Sequence, residues 1–287
     1  MADQAGRMSE GRPLVVPAAL DAALVLVRHG ESTWIAEGRF QGQLDPPLSP
    51  LGERQAALVA RRLAQRDDGV PLPLPDGPPR GVWHSPLGRA ADTARAIAAE
   101  QPASVALHAT AGLLEIAQGE WEGLPHADVR ARWADELAAW RRSPTTSHAP
   151  GGESLADATA RVRGAVSAIF AALLPADGPA SDPDAVAAAA SLRYDPVPGY
   201  PTGARAAEPW AVIVAHDGIL RLTLMSLLDV PIERFWSFPF NLCSISVLAL
   251  HEGAATLRAH NLVEHLAPIA DEARAAAEAR GDRRGAL

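Results

Sequence analysis

The sequence holds a single cysteine, Cys243, among 287 residues. An internal disulfide framework and a multi-cysteine metal site are therefore excluded. No apolar run approaches the ~20 residues that a membrane-spanning helix needs. Positive charge is in deficit: the formal net charge is -8. That balance argues against a broad nucleic-acid surface or an anionic-membrane surface, and it fits local basic clusters around a small anionic ligand. The opening MADQAGRMSEGRPLVVPAAL lacks a basic head followed by an apolar signal core, so a cytoplasmic location is expected. Apolar residues, in contrast, are plentiful at 48% of the chain, ample for a large core.

Residues 1–21 read as a flexible leader, 22–270 as one domain and 271–287 as a charged tail. Within the domain, Ala23–Val27 is a short apolar strand without alternation, which suits a parallel position covered on both faces. Ser49 followed by Pro50 opens a helix with Ala56, Val59, Ala60 and Leu63 on one face. A second strand is expected at Gly81–Trp83. Ser85 and Pro86 after it are expected to cap and start a helix reaching about Glu100. A third strand falls near Val105–Leu107. One helix is expected from about Ala127 to Arg142, with Val129, Trp133, Leu137 and Trp140 as a core stripe, and another from about Ser154 to Leu174. Residues 175–209 break the pattern with seven prolines; an insert of this kind is expected to tune access rather than chemistry. Its Tyr194 and Tyr200 are candidates for a homodimer contact. Order returns with the strand Ala211–Ala215, a helix to about Leu228 and a last strand Ser244–Leu250. Strands alternating with helices predict an α/β fold with a mostly parallel, doubly covered sheet.

Ligands of open α/β sheets collect beyond the carboxyl ends of parallel strands. Three strands here end in related chemistry: Arg28-His29, then His84-Ser85-Pro86-Leu87-Gly88-Arg89, then His216-Asp217. If the three strands are adjacent and parallel, two histidines and two arginines converge. Arginine offers a planar, always-charged fork matched to phosphate oxygens, and helix N-termini favour anions as well. In such a cup one neutral imidazole can attack phosphorus, giving a phosphohistidine. A second histidine, if protonated, would stabilise charge on the phosphoryl oxygens together with the arginines. The leaving oxygen needs a proton from a carboxyl group with a raised pKa. Glu115, Glu120 and Glu122 in LLEIAQGEWEGL are the candidates, Glu115 first among them, and position alone does not choose.

These residues resemble the histidine phosphatase superfamily, the phosphoglycerate-mutase-like proteins. The matching pieces are LVLVRHGEST, GRFQGQLDPPLSPLGERQA, WHSPLGRAADTA, LLEIAQGEWEGL, PGGESLADATARV and VIVAHDGILR, in the family's order. The resemblance implies a three-layer α/β/α sandwich and catalysis without a metal or other cofactor. It implies His29 as the phosphorylated nucleophile and Arg28, Arg89 and His216 as the phosphate cup. Glu115 would be the proton donor and then the base for water; Gln41, Gly42 and Asp217 fall where the family contacts substrate. Two departures stand out. Ile35 follows Trp34 where the family often has asparagine, which removes a donor from the cup. Where many members read HGG or HGN after the strand, this chain reads His216-Asp217-Gly218, so an acid lies beside the cup; it should repel a second phosphate or favour a leaving group that carries a donor.

The resemblance implies a phosphomonoesterase whose partner is a small phosphorylated metabolite. Phosphoglycerate-mutase-type transfer is the alternative: Arg141-Arg142 in AAWRRS echo a mutase, while the short interval before PGGES favours a wetter, hydrolytic site. A phospho-ligand-binding scaffold without turnover is the other alternative, against which the complete residue set argues. Elsewhere the bland readings are preferred. His84 is a packing or capping residue, and His251, His260 and His265 lack the acid or cysteine that would complete a metal site.

Overall fold

The computed structural model describes residues 16–65, 70–174 and 208–272. The elements are β1 (Ala22–Arg28), α1 (Thr33–Ala36), α2 (Pro50–Ala64), β2 (Val82–His84), α3 (Gly88–Glu100), β3 (Leu107–Ala109), α4 (His126–Arg132), α5 (Ala134–Arg142), α6 (Leu155–Leu173), β4 (Trp210–Ala215), α7 (Asp217–Leu227), β5 (Ile245–His251) and β6 (Ala254–Leu262). The strands form one sheet in the order β3-β2-β4-β1-β5-β6. The first four are parallel; β5 is antiparallel to β1, and β6 to β5.

Ala22 to Val27 in β1 are all buried, and alternation sorts their side chains between two cores. Leu24 and Leu26 pack with α6 and α7 residues such as Val166, Ile169 and Leu220. Ala23, Val25 and Val27 pack with Val59 and Leu63 of α2 and Ala94 and Ile97 of α3. β4 divides in the same way, Ile213 to the first core and Val212 and Val214 to the second. Side chains shared out to both faces give the three-layer α/β/α sandwich, and each fully buried Val or Leu contributes about 1.5–3 kcal/mol relative to exposure.

Helix α2 starts as its sequence dictates. Ser49 Oγ accepts the Gly52 amide at 3.0 Å and Pro50 occupies the first helical position. Its first turn lies directly against the loop after β1. A Cβ on Gly30 would come within 2.5 Å of the Gly52 carbonyl oxygen, and one on Gly52 within 1.9 Å of the Glu31 carbonyl oxygen. Backbone therefore packs on backbone at these two glycines.

Several boundaries differ from those expected. Helix α3 begins at Gly88 with Leu87 as its cap residue, not at Pro86. Ser85 Oγ accepts from the Leu87 amide at 3.3 Å instead, and Asp45 supplies the missing cap by accepting the Gly88 N–H at 2.8 Å. The single helix expected over 127–142 is two, α4 and α5, meeting at Trp133 with φ -132° and ψ 49°. Val129, Leu137 and Trp140 still reach the core. The third strand, β3, lies two residues later than expected. Strand β6 was not expected at all: Glu252 (φ 47°) and Gly253 (φ 79°) form a two-residue turn of the kind hairpins use, and β6 follows. Val16 and Leu20, placed by sequence in a leader, are buried in the core; residues 1–15 lie outside the described residues. So do 175–207 of the insert, Tyr194 and Tyr200 among them, and 273–287 of the tail. No helix among the described residues is long and apolar enough to cross a membrane.

Candidate active site

Strands β2, β4 and β1 lie side by side, with His84 opposite Val214 and Arg28 opposite Ala215. The ladder continues one step beyond: the His29 amide donates to Ala215 O and the Ser85 amide to Val214 O, both at 3.0 Å. All three chemistry-bearing ends therefore open at one rim of the sheet, the place where α/β sheets bind ligands.

His29 and His216 meet there with ring centroids 5.0 Å apart and planes at 62°. Their backgrounds differ. His29 Nδ1 lies 2.6 Å from Gly30 O. A carbonyl only accepts, so Nδ1 carries the proton and Nε2 keeps its lone pair free. Both nitrogens of His216 are buried and without a protein partner. Burial first, then the Arg89 charge, hold both imidazoles well below the usual histidine range; Arg28 adds to this at each. Both rings are thus held toward the neutral form in the free protein, by burial first and by the neighbouring cations second.

Arg28 donates Nη1 to Phe240 O at 2.6 Å, and its buried Nε has no protein partner. Arg89 is fully buried and donates to Leu44 O and Gly42 O, both at 2.8 Å. Burial pulls its pKa down to about 10, against Glu115, Asp45 and Glu122, which raise it. It remains a cation at neutral pH. Arg89 therefore both charges the rim and holds the loop that carries Gln41 and Gly42. Gly42 needs its lack of side chain: at φ +52° a Cβ would fall 2.0 Å from Glu122 Oε1. Gln41 Oε1 accepts from Ser32 Oγ at 2.5 Å.

The three glutamates separate cleanly. Glu120 is exposed. Glu122 Oε1 accepts the amides of Gln118 (2.8 Å) and Gln43 (3.0 Å), so it braces the loop. Glu115 alone reaches the first turn of α7, where its Oε1 lies 2.8 Å from the position a Cβ on Gly218 would take. Burial first, then the Asp217 charge, push its carboxyl above the usual glutamate range, while its contact with the Ile116 amide and the charges of Arg89 and Arg28 oppose this. Asp217 has both oxygens engaged: Oδ2 accepts from Arg221 Nε at 3.0 Å and Oδ1 from the Phe240 amide at 3.2 Å. Ile35 lies partly buried on α1, its amide donating to Ser32 Oγ at 3.1 Å.

Sequence reasoning gave no role to Arg161, yet it fixes Glu115. From α6 it donates to Gly112 O (3.0 Å), Leu114 O (2.6 Å) and Glu115 O (3.0 Å), while Glu153 grips it at 2.7 Å. Gln43 Nε2 adds a bond to Glu115 O at 3.0 Å. The only signal for Arg161 and Glu153 was their presence in the PGGESLADATARV segment. The remaining histidines are occupied elsewhere: His84 Nδ1 lies 2.8 Å from Ser85 O, His251 pairs with Asp21, His260 with Ser246 and His265 with Cys243 O. Among the described residues no group of three His, Cys, Asp or Glu side chains is placed to hold a metal ion.

Two guanidinium groups, two imidazoles held below their usual range and one carboxyl held above its own, gathered around a helix N-terminus, are an arrangement that could receive and transfer a phosphoryl group. The pattern described as "Histidine phosphatase superfamily (branch 1)" matches residues 24–174 and 202–263. Phosphoserine phosphatase 1 of Hydrogenobacter thermophilus is 28% identical over 250 residues, 87% of this chain and 97% of its own length. A 2,3-bisphosphoglycerate-dependent phosphoglycerate mutase of Methylobacterium is 38% identical over 146 residues, 50% of this chain and 65% of its own length. The structure of mycobacterial glucosyl-3-phosphoglycerate phosphatase complexed with VO3 superposes with TM-score 0.62 at 28% identity, covering 84% of this chain and 99% of that one. Arg28, His29, Arg89, Glu115 and His216 all fall within the matched residues, and the chain belongs to the histidine phosphatase superfamily.

Proposed function

We propose that this chain, a phosphoric monoester hydrolase of small phosphorylated metabolites, works through a phosphohistidine on His29. The observation that carries the reading is the bond from His29 Nδ1 to Gly30 O. It leaves a neutral imidazole with its Nε2 lone pair free beside two arginines. In the first step the Nε2–P bond forms while the bond from phosphorus to the ester oxygen breaks, and Glu115 gives its proton to the leaving oxygen. Arg28, Arg89 and an N–H of His216 take the charge on the remaining phosphoryl oxygens. In the second step the Glu115 carboxylate takes a proton from water as its oxygen attacks phosphorus. The N–P bond breaks, and inorganic phosphate and neutral His29 are released. Gln41 and Gly42 form the wall nearest the leaving group. No step requires a metal ion, because the charge on phosphorus is met by protein cations. The same reading includes a cytoplasmic enzyme that binds neither nucleic acid nor membrane, for which the formal net charge of -8 is the support. The insert is assigned to access, and a homodimer contact is assigned to it as well.

Mutase-type transfer is the second reading. The similarity to the Methylobacterium mutase and the exposed Arg141-Arg142 pair at the end of α5 favour it. Hydrolysis is preferred because the phosphoserine phosphatase matches over nearly its full length. Rapid quench with 32P-labelled substrate and peptide mapping tests the chemistry, with acid-labile label expected on His29. Label on His216 or a serine would overturn it. Turnover of p-nitrophenyl phosphate should survive EDTA and be inhibited by vanadate. Loss on chelation with recovery on adding zinc or magnesium would overturn the metal-free step, and no His29-dependent turnover would favour a binding scaffold.

A further inference from the structure

Arg28 is held at both ends by one short segment. The Cys243 amide donates to its backbone carbonyl at 3.0 Å, and the Phe240 carbonyl accepts its Nη1 at 2.6 Å. That segment is held by Asn261, whose Oδ1 accepts the Asn241 amide at 2.7 Å, and by a carboxylate from another element. Asp217, the second residue of the His216-Asp217-Gly218 run, accepts the Phe240 amide on Oδ1 at 3.2 Å. Arg221, one turn along α7, fixes Oδ2 at 3.0 Å. Arg221 is itself immobilised: its Nη1 donates to Phe235 O at 3.2 Å, and its guanidinium lies 5.7 Å and 5.4 Å from the ring centroids of Phe235 and Trp236. With Nη1 committed to Phe240, the buried Nε of Arg28 has no protein partner.

We infer that Asp217 is a positioning residue that sets the orientation of Arg28 in the phosphate cup through the backbone of Phe240. Arg221, Asp217, Phe240 and Arg28 then form a relay from α7 to the end of β1, so the helix that delivers His216 also aims a cation supplied by the neighbouring strand. The Phe240 N–H and C=O belong to consecutive peptide groups that meet at its Cα: Asp217 fixes the first, and the second, which carries the carbonyl, is fixed through the Asn241 amide by Asn261. The inference rests on Arg28 being a phosphate ligand, as proposed above. It differs from a direct substrate contact, because both Asp217 oxygens already have protein donors. Asp217 also carries charge toward Glu115. The charged groups facing Glu115 are Asp217 from α7, Arg89 from α3 and Arg28 from β1, with Arg161 of α6 bonded to its carbonyl and neutral His29 and His216 in the same cup.

The test is a double-mutant cycle on the full chain with Asp217→Ala and Arg28→Ala, read as kcat/KM for p-nitrophenyl phosphate and as the inhibition constant of inorganic phosphate. Asp217→Ala alone should lower kcat/KM and weaken phosphate inhibition by about tenfold each, the scale of one charge-assisted bond. In the Arg28→Ala background it should cost less than about twofold, since partners in one network are non-additive. Additive losses would overturn the relay. If Arg28→Ala itself leaves phosphate inhibition unchanged, the cup assignment fails rather than the relay. Asp217→Asn covers the case in which the alanine variant does not fold. Its side-chain oxygen can still accept the Phe240 amide, so phosphate inhibition should stay within about twofold of the parent. Removing the negative charge should at the same time lower the Glu115 pKa, moving the alkaline limb of kcat/KM for an alkyl phosphate to lower pH. An asparagine variant that loses phosphate inhibition, or whose alkaline limb does not move, would overturn the inference.

Discussion

His29 and His216 are the same residue type, 5.0 Å apart at the ends of parallel neighbours in the sheet, yet the protein treats them oppositely. His29 has its tautomer fixed by its own chain, one residue along, through Gly30 O. His216 has neither nitrogen satisfied, and a fully buried imidazole without partners is costly unless a ligand supplies them. In the proposed mechanism one ring is prepared before substrate arrives and the other is completed by it. Residue type and position do not distinguish the two rings; their hydrogen bonds do, and that difference supports the proposed roles of nucleophile and stabiliser.

Removing His29 should break the comparison most severely. His29→Ala should lower kcat by at least about 10⁴-fold in steady-state assays, because no other group can form the intermediate. His216→Ala should lower it by about 10²–10³-fold, the scale of one lost oxyanion donor. Label should still accumulate on His29 in that variant. Equal losses from the two substitutions would abolish the distinction.

Glu115→Gln sharpens the contrast from the substrate side. For alkyl phosphates, whose leaving oxygen needs a proton, kcat should fall about 10²–10⁴-fold. With p-nitrophenyl phosphate the fall should be much smaller. Equal losses for both would make Glu115 structural. Arg161→Met is expected to act in the same direction through the loop it braces, lowering kcat for alkyl phosphates by about tenfold as Glu115 moves off its position.

The smallest effects are on stability, and here the carboxyl and the imidazoles have opposite signs. Glu115 titrates above its ordinary value when folded, so its favourable contribution is complete below about pH 4.5 and is lost as pH rises through the raised value. Glu115→Gln should therefore leave Tm unchanged near pH 4 and raise it at pH 8. His29 and His216 titrate below theirs. They destabilise the fold as pH drops below about 6.5, and His216→Asn should flatten the acid side of the Tm–pH curve. Differential scanning calorimetry from pH 4 to 8 measures both slopes.

Much of this site was legible in the sequence because each strand announces its end. Apolar runs stop at Arg28-His29 and His216-Asp217, and the sheet topology makes those stops neighbours. What was not legible depends on partners far away along the chain. The cap of α3 is Asp45, 43 residues before the amide it accepts. Arg161 acts on the Glu115 loop through backbone carbonyls, which have no sequence signature. Strand β6 hides behind Ala, Thr and a half-buried face, too little apolar alternation to register as a strand. The break at Trp133 has neither proline nor glycine to mark it.

The contact of Gly30 and Gly52 has a practical corollary for protein engineering. The RHG turn is not a portable cassette. With the Gly30 Cβ position 2.5 Å from Gly52 O and the Gly52 Cβ position 1.9 Å from Glu31 O, its shape is moulded on the first turn of α2. A graft of residues 24–34 into another α/β scaffold would have to import Ser49–Gly52 in the same orientation, or the transplanted histidine would arrive with its ring pointing elsewhere.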